Sequence, residues 1–113
     1  MTLHKTPLDE LGLSEKTRSA ITSIYAKYPA IQKVICYGSR AMGTFREGSD
    51  IDMTIVADSA FSHADLLRVL NDFDDSDLPY LVDISIFSEL KNPDLVDHIL
   101  RRGKLIYERV ERG

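Results

Sequence analysis

The sequence predicts an α+β domain in which a small mixed β-sheet is flanked by helices. Three observations carry that prediction. Short β-branched runs alternate with segments whose apolar residues recur at helical spacing, in the order helix, strand, short helix, strand, helix, strand, helix. A chain of 113 residues has one domain's worth of length and buries roughly two thirds of the surface its unfolded form exposes. Its 43% apolar and 28% charged content, with only 6 Gly and 4 Pro, is that of an ordinary globular protein. No repeat, low-complexity tract or linker divides it, so a single domain over residues 1–113 is expected, with 1–13 a loose N-terminal arm of weak periodicity.

Ser14, followed three residues later by Thr17, opens a first helix in which Ile21, Ile24, Tyr25 and Tyr28 share a face until Pro29 ends the pattern. "KVICY", residues 33–37, is a buried strand closed by Gly38. Ser39 and the residues after it start a short helix. "DIDMTIVA", 50–57, is the second strand. Ser62 with Asp65 is a capping box opening a helix through Leu66, Leu67, Val69, Leu70 and Phe73, and the acidic "DFDDSDLP" closes it. "YLVDISIF", 80–87, is the third strand. Pro93 in a first turn opens a last helix carrying Leu95, Val96, Ile99 and Leu100, which Gly103 ends. "KLIYERV" follows as an edge strand or an extra turn.

Charge and composition exclude several classes. A net charge of -4 gives no general attraction to phosphate backbones, so direct nucleic-acid binding is not expected. The single cysteine, Cys36, has no internal disulfide partner, and "MTLHKTPLDE" lacks the order of a signal peptide. A soluble, cytoplasmic protein is expected, since no apolar run approaches the roughly 20 residues that span a bilayer.

The chemistry is concentrated in "YGSRAMGTFREGSDIDMTI", residues 37–55. Side chains alternate along a strand, so Asp50 and Asp52 leave the same side with their stems about 7 Å apart. Two anions at that spacing repel, and a divalent cation reverses the cost. Asp83 lies in a run too apolar for an exposed strand. If the second and third strands pair, it completes a three-carboxylate cluster, the oxygen-ligand environment of Mg²⁺ held partly by substrate phosphates. Gly38 lets the backbone approach a ligand, while Ser39 and the next amides can donate to phosphate oxygens. Arg40 either neutralises charge there or turns away into a structural pair.

"GS", ten residues, then "DID" resembles the signature of the DNA polymerase β-type nucleotidyltransferase superfamily. "GSRAMG" resembles its phosphate turn, "SDIDM" its acid pair and "VDISIF" the strand of its third acid, together covering residues 34–87. The chain looks like the minimal nucleotidyltransferases (MNT proteins) encoded beside HEPN-domain partners. That resemblance implies a polymerase β-like fold, with Asp50, Asp52 and Asp83 as catalytic and metal-binding residues and Gly38, Ser39, Arg40 and Ser49 as nucleotide-binding ones. It implies two Mg²⁺ ions, ATP as substrate, and a HEPN-domain toxin as protein partner in a hetero-oligomer. In such systems the MNT protein is an antitoxin that transfers AMP to tyrosine hydroxyls of the HEPN ribonuclease. Larger superfamily members carry a helical domain over the cleft, for which 113 residues leave no room; a partner that is itself the acceptor would fill that gap. The competing functions are a non-catalytic antitoxin acting by occlusion and a small-molecule, aminoglycoside-type nucleotidyltransferase.

Plainer readings stand beside these. Asp50 and Asp52 also fit a solvated strand end next to Ser49, and Ser39 fits a helix N-cap. Asp72, Asp74, Asp75 and Asp77 lack the glycine and closing glutamate of a calcium loop and read as a solvated segment. Cys36 reads as core rather than nucleophile. His63 and His98 lack paired zinc-ligand spacing. Tyr37 either stacks on a base or packs. Tyr80, Phe87, Leu105, Ile106 and Tyr107 form either an apolar partner surface or part of the core.

Overall fold

The computed structural model describes residues 9–46 and 48–110. Helix α1 (Glu15–Tyr25) begins where Ser14 Oγ accepts the Thr17 amide at 3.1 Å. It buries Ile21, Ile24 and Tyr25 and ends ahead of Pro29, Tyr28 being held by an N–H bond to the Tyr25 carbonyl. Strand β1 (Ile31–Tyr37) is followed by the one-turn helix α2 (Ser39–Met42), strand β2 (Ile51–Ala57) and helix α3 (His63–Asp74). At the start of α3 the Ser62 hydroxyl and the Asp65 carboxylate each accept the other's backbone amide, the predicted capping box. Strand β3 (Val82–Ile86), a 3-10 turn (Phe87–Glu89), helix α4 (Pro93–Arg102) and strand β4 (Lys104–Glu108) complete the described chain. The last segment is therefore an edge strand.

The sheet order is β3-β2-β1-β4, with β1 antiparallel to β2 and β4, and β2 parallel to β3. This is the small mixed sheet of the α+β class. The parallel pair requires a crossover, which α3 supplies. Alternation then sorts the strands into two faces. Val34, Cys36, Ile51, Met53 and Ile55 point towards α1 and α3, where they meet Tyr25, Val69 and Phe73 in one core. Tyr25 caps that core by donating its hydroxyl to Met53 Sδ at 3.2 Å and meeting Phe73 edge-on at 5.5 Å. The opposite face carries Ile35, Tyr37, Asp52, Thr54, Asp83 and Ser85, and α4 packs on it over β1. Close packing of α4 is enforced at its end, where a side-chain carbon on Gly103 would fall 2.4 Å from Ile35 Cγ2.

Two expectations change and one open choice is resolved. Of the loose arm predicted over 1–13, residues 1–8 lie outside the described residues, whereas Leu11 and Leu13 are fully buried in the core. Of the residues read as either a partner surface or part of the core, Ile106 is buried, Tyr107 packs against Tyr25 at 5.9 Å, Tyr80 stacks on Arg40 and Phe87 is half-buried, while Leu105 is half exposed. Asp83 is exposed, although its strand is apolar, because Val82, Ile84 and Ile86 turn to the core face and Asp83 to the other. No helix among the described residues is long and apolar enough to cross a membrane.

Candidate active site

The register of the parallel pair places Asp52 opposite Asp83. Residues paired in this way project from the same face, so the two carboxylates are neighbours on adjacent strands. Asp50 precedes β2 by one residue and, two positions before Asp52, follows the same alternation. Among the described residues no three acidic, histidine or cysteine side chains are gathered into a formed cation cage. The expected three-carboxylate cluster is thus a facing pair, Asp52 and Asp83, with Asp50 at its open end. Such a set of hard oxygen donors fits Mg²⁺, which is commonly held by one or two carboxylates completed by substrate phosphates and water.

The glycine-serine turn abuts this pair directly. Gly38 has φ +76° and ψ -151°, a conformation essentially confined to glycine that costs an L-residue about 1–3 kcal/mol, and a side-chain carbon there would lie 2.6 Å from Asp52 Oδ2. The absence of a side chain is what lets the Asp52 carboxylate rest against the backbone at the mouth of α2. Ser39 opens that helix, half-buried, and Gly43 closes it at φ +77°. Tyr37, the last residue of β1, pairs in register with Asp52, so turn and carboxylate are brought together by the β1–β2 ladder.

Electrostatics mark Asp52 as the focus. Its carboxyl is held above the usual carboxylate value first by burial and then by the charges of Asp83 and Asp50. Burial likewise raises the Tyr37 phenol, with Asp83 and Asp52 adding to the shift and a contact with Ser85 opposing it. Cys36, on the core face, has its thiol pushed up to about 12, chiefly by burial. It is a core residue, not a nucleophile.

Of the two roles left open for Arg40, nucleotide contact and structural pairing, its contacts are those of structural pairing. It is only 2% exposed: Nη1 donates to the Leu11 carbonyl at 2.8 Å, while Nε and Nη2 donate to the Ser49 carbonyl at 3.2 and 2.8 Å. Phe45 and Tyr80 cover the guanidinium at 5.0 and 4.7 Å. A group so engaged has its donors spent on carbonyls, and its work is to pin the loop that delivers Asp50. Ser49 has a loop role as well: its hydroxyl accepts the Arg46 amide at 2.8 Å and its amide donates to the Arg46 carbonyl, closing a local turn.

Two features of the site were missed by sequence reasoning. Ser85 donates its hydroxyl to Thr54 Oγ1 at 2.9 Å, a rung linking β2 to β3 next to the Asp52–Asp83 pair. The parallel spacing Asp52-x-Thr54 and Asp83-x-Ser85 was the available signal. The other is His98 of α4, whose Nε2 accepts the Gly38 amide at 3.3 Å and whose ring meets Tyr37 edge-on at 6.3 Å. No local signal announces it. Elsewhere, His63 pairs with Glu89 at 2.7 Å on the surface, and Asp72 accepts the Tyr28 hydroxyl at 2.5 Å.

Comparison with known proteins agrees with this fold. The family model described as polymerase beta, nucleotidyltransferase matches residues 19–112. None of the curated proteins compared with the sequence matches it. Among solved structures, the fold is similar to that of a chain in a toxin-antitoxin complex with AMP-PNP, with TM-score 0.66 and 20% identity over 81% of this chain and 73% of that one. A structure described as a candidate minimal nucleotidyltransferase gives TM-score 0.61 and 28% identity, covering 77% and 86% of the two chains. A chain of the tri-AMPylated Shewanella oneidensis HEPN toxin in complex with MNT antitoxin gives TM-score 0.50 and 16% identity, over 81% and 70%.

Proposed function

The chain belongs to the polymerase β nucleotidyltransferase family, and from that premise we propose that it transfers AMP from ATP to a tyrosine hydroxyl of a HEPN-family ribonuclease toxin, acting as its Mg²⁺-dependent antitoxin. The observation that carries the reading is the pairing of Asp52 with Asp83 beside a glycine turn that leaves no room for a side chain. The relatives in complexes with AMP-PNP and with an AMPylated HEPN toxin support the choice of nucleotide and partner.

In this reading Gly38, whose own amide is taken by His98, lets the triphosphate approach the backbone, while Ser39 and the amides after it donate to the phosphate oxygens at the mouth of α2. Asp52 and Asp83, with Asp50 beside them, would hold Mg²⁺, which when bound neutralises triphosphate charge and orients the α-phosphorus for in-line attack. The acceptor hydroxyl forms the new P–O bond as the α–β bond breaks and pyrophosphate leaves. The hydroxyl proton passes to a carboxylate, for which exposed Asp83 is available. Arg40 and Ser49 act behind the site, fixing the loop from α2 to β2.

Incubating the protein with its HEPN partner, ATP and Mg²⁺, followed by mass spectrometry of the partner, tests the proposal. AMP adducts on tyrosine are expected with the wild type, and Asp52→Asn should reduce them about 100-fold or more. Undiminished transfer by a folded Asp52→Asn protein would overturn it.

A further inference from the structure

We infer that His98 is a positioning residue for the phosphate-binding turn: its imidazole, carried on α4, accepts the Gly38 amide and sets the orientation in which Ser39 meets the triphosphate. The inference rests on the nucleotidyltransferase reading above. Gly38 is the N-cap of α2, and the residue whose side chain would reach back to its amide in a capping box is Ala41, which has no acceptor. The Gly38 amide is instead satisfied from 60 residues along the chain, by His98 Nε2 at 3.3 Å. An accepting Nε2 requires the proton on Nδ1, so the neutral imidazole is fixed in one tautomer.

The helix that carries the imidazole is itself held at both ends. Asn92 caps α4 by accepting the Asp94 and Leu95 amides at 2.9 and 3.3 Å, and Pro93 stiffens the first turn. Ile99, adjacent to His98, is 1% exposed, and the end of the helix is pressed onto Ile35 through Gly103. The Tyr37 ring stands at 80° to the imidazole. Helix α4 therefore presents an acceptor at a set place, and the backbone of a glycine at φ +76° is oriented by it. Without that acceptor, a part-buried amide loses its partner and the turn its anchor.

The test combines a nucleotide-free readout with a binding one. In ¹⁵N NMR of the ligand-free protein, His98 should show an unprotonated Nε2, and the Gly38 amide should exchange faster in His98→Ala than in the wild type. Calorimetry with ATP and Mg²⁺ should give a Kd about 3- to 10-fold weaker for His98→Ala, the size of one neutral hydrogen bond. His98→Gln, which retains a side-chain acceptor, should recover most of the loss, and His98→Leu, of similar bulk without one, should not. A protonated Nε2, unchanged Gly38 exchange, or Leu restoring affinity as well as Gln would overturn the inference. Should His98→Ala fail to fold, the Gln and Leu variants decide the matter alone. A wild type that binds no ATP would sink the nucleotidyltransferase reading itself, whereas wild-type binding with all three variants alike would sink only the role of His98.

Discussion

Asp52 on β2 stands opposite Asp83 on β3, in a parallel pair whose next rung on the same face is the Thr54–Ser85 hydroxyl bond. A sheet ladder that sets two aspartates side by side on one face keeps their charges close, and their repulsion raises the pKa of Asp52. A relationship of this kind is costly to the ligand-free protein and useful to one that binds cations.

Asp52→Asn should therefore raise the melting temperature of the ligand-free protein at neutral pH while abolishing transfer. The sign follows from linkage. The folded-state pKa of Asp52 lies above its ordinary value of 3.8, through burial and the neighbouring Asp83 and Asp50. The folded state thus binds the proton more tightly than the unfolded one, and stability is lost as pH rises from that ordinary value through the raised one. Thermal melts of the two proteins should coincide at the acid end of that window and separate above it, with the Asn variant higher. A wild type that melts above Asp52→Asn at pH 7 would contradict this.

Gly38→Ala and Gly43→Ala make a contrasting pair. Both glycines have positive φ, but Gly43 (φ +77°, ψ 12°) is left-handed helical and its substitution should cost roughly 1–2 kcal/mol of backbone strain, whereas Gly38 (φ +76°, ψ -151°) lies in a region essentially confined to glycine and should cost about 1–3 kcal/mol. Only Gly38 also faces Asp52 Oδ2, at 2.6 Å from its missing side chain, whereas nothing lies within 4 Å of the corresponding point at Gly43. Transfer activity and ATP affinity should collapse in Gly38→Ala and persist in Gly43→Ala at temperatures where both are folded. Equal activity in the two variants would show that the close approach of turn and carboxylate is unimportant.

What could be read in advance was what depends on near neighbours in the chain. The Ser62–Asp65 box and the Asn92-Pro93 start of α4 are local hydrogen-bond arrangements, and alternation alone puts Asp50 and Asp52 on one side of their strand. The facing of Asp52 and Asp83 depends on the β2–β3 register, which the sequence supports only through the apolar pattern on the core face. Arg40 and His98 illustrate the limit. The Arg40 partners are 29 and 9 residues away, His98 is 60 residues from Gly38, and in each case the partner is a backbone carbonyl or amide, a group every residue carries. Periodicity is blind to such pairs. The burial of Leu11 and Leu13 is hidden for a related reason: a short irregular segment has no repeat to reveal the face it packs.

Arg40→Lys should act on stability. Lysine keeps the charge but has neither the fork that reaches the Leu11 and Ser49 carbonyls together nor the plane that stacks between Phe45 and Tyr80. A loss of about 2–4 kcal/mol is expected, because a buried cation keeps only part of its hydrogen bonding. Chemical denaturation measures it. If the guanidinium instead served the nucleotide, the variant would keep its stability and lose ATP affinity, so the denaturation midpoint and the ATP Kd of the folded protein separate the two roles.

Cation and nucleotide should stabilise the protein jointly rather than singly. The facing pair of Asp52 and Asp83 offers two carboxylates, and no three candidate ligands form a cage among the described residues, so Mg²⁺ alone has few protein donors to gain. Phosphate oxygens supply the rest of the shell. Mg²⁺ by itself should shift the melting temperature little, and a non-hydrolysable ATP analogue without Mg²⁺ should shift it little. Together at about a hundred times Kd they should add about 2.7 kcal/mol, several degrees for a chain of this size. Chelation with EDTA should reverse the shift, and Asp52→Asn should not show it. A full shift from the analogue in EDTA would mean that the carboxylates do not hold a cation for the nucleotide, and that they face each other for another reason.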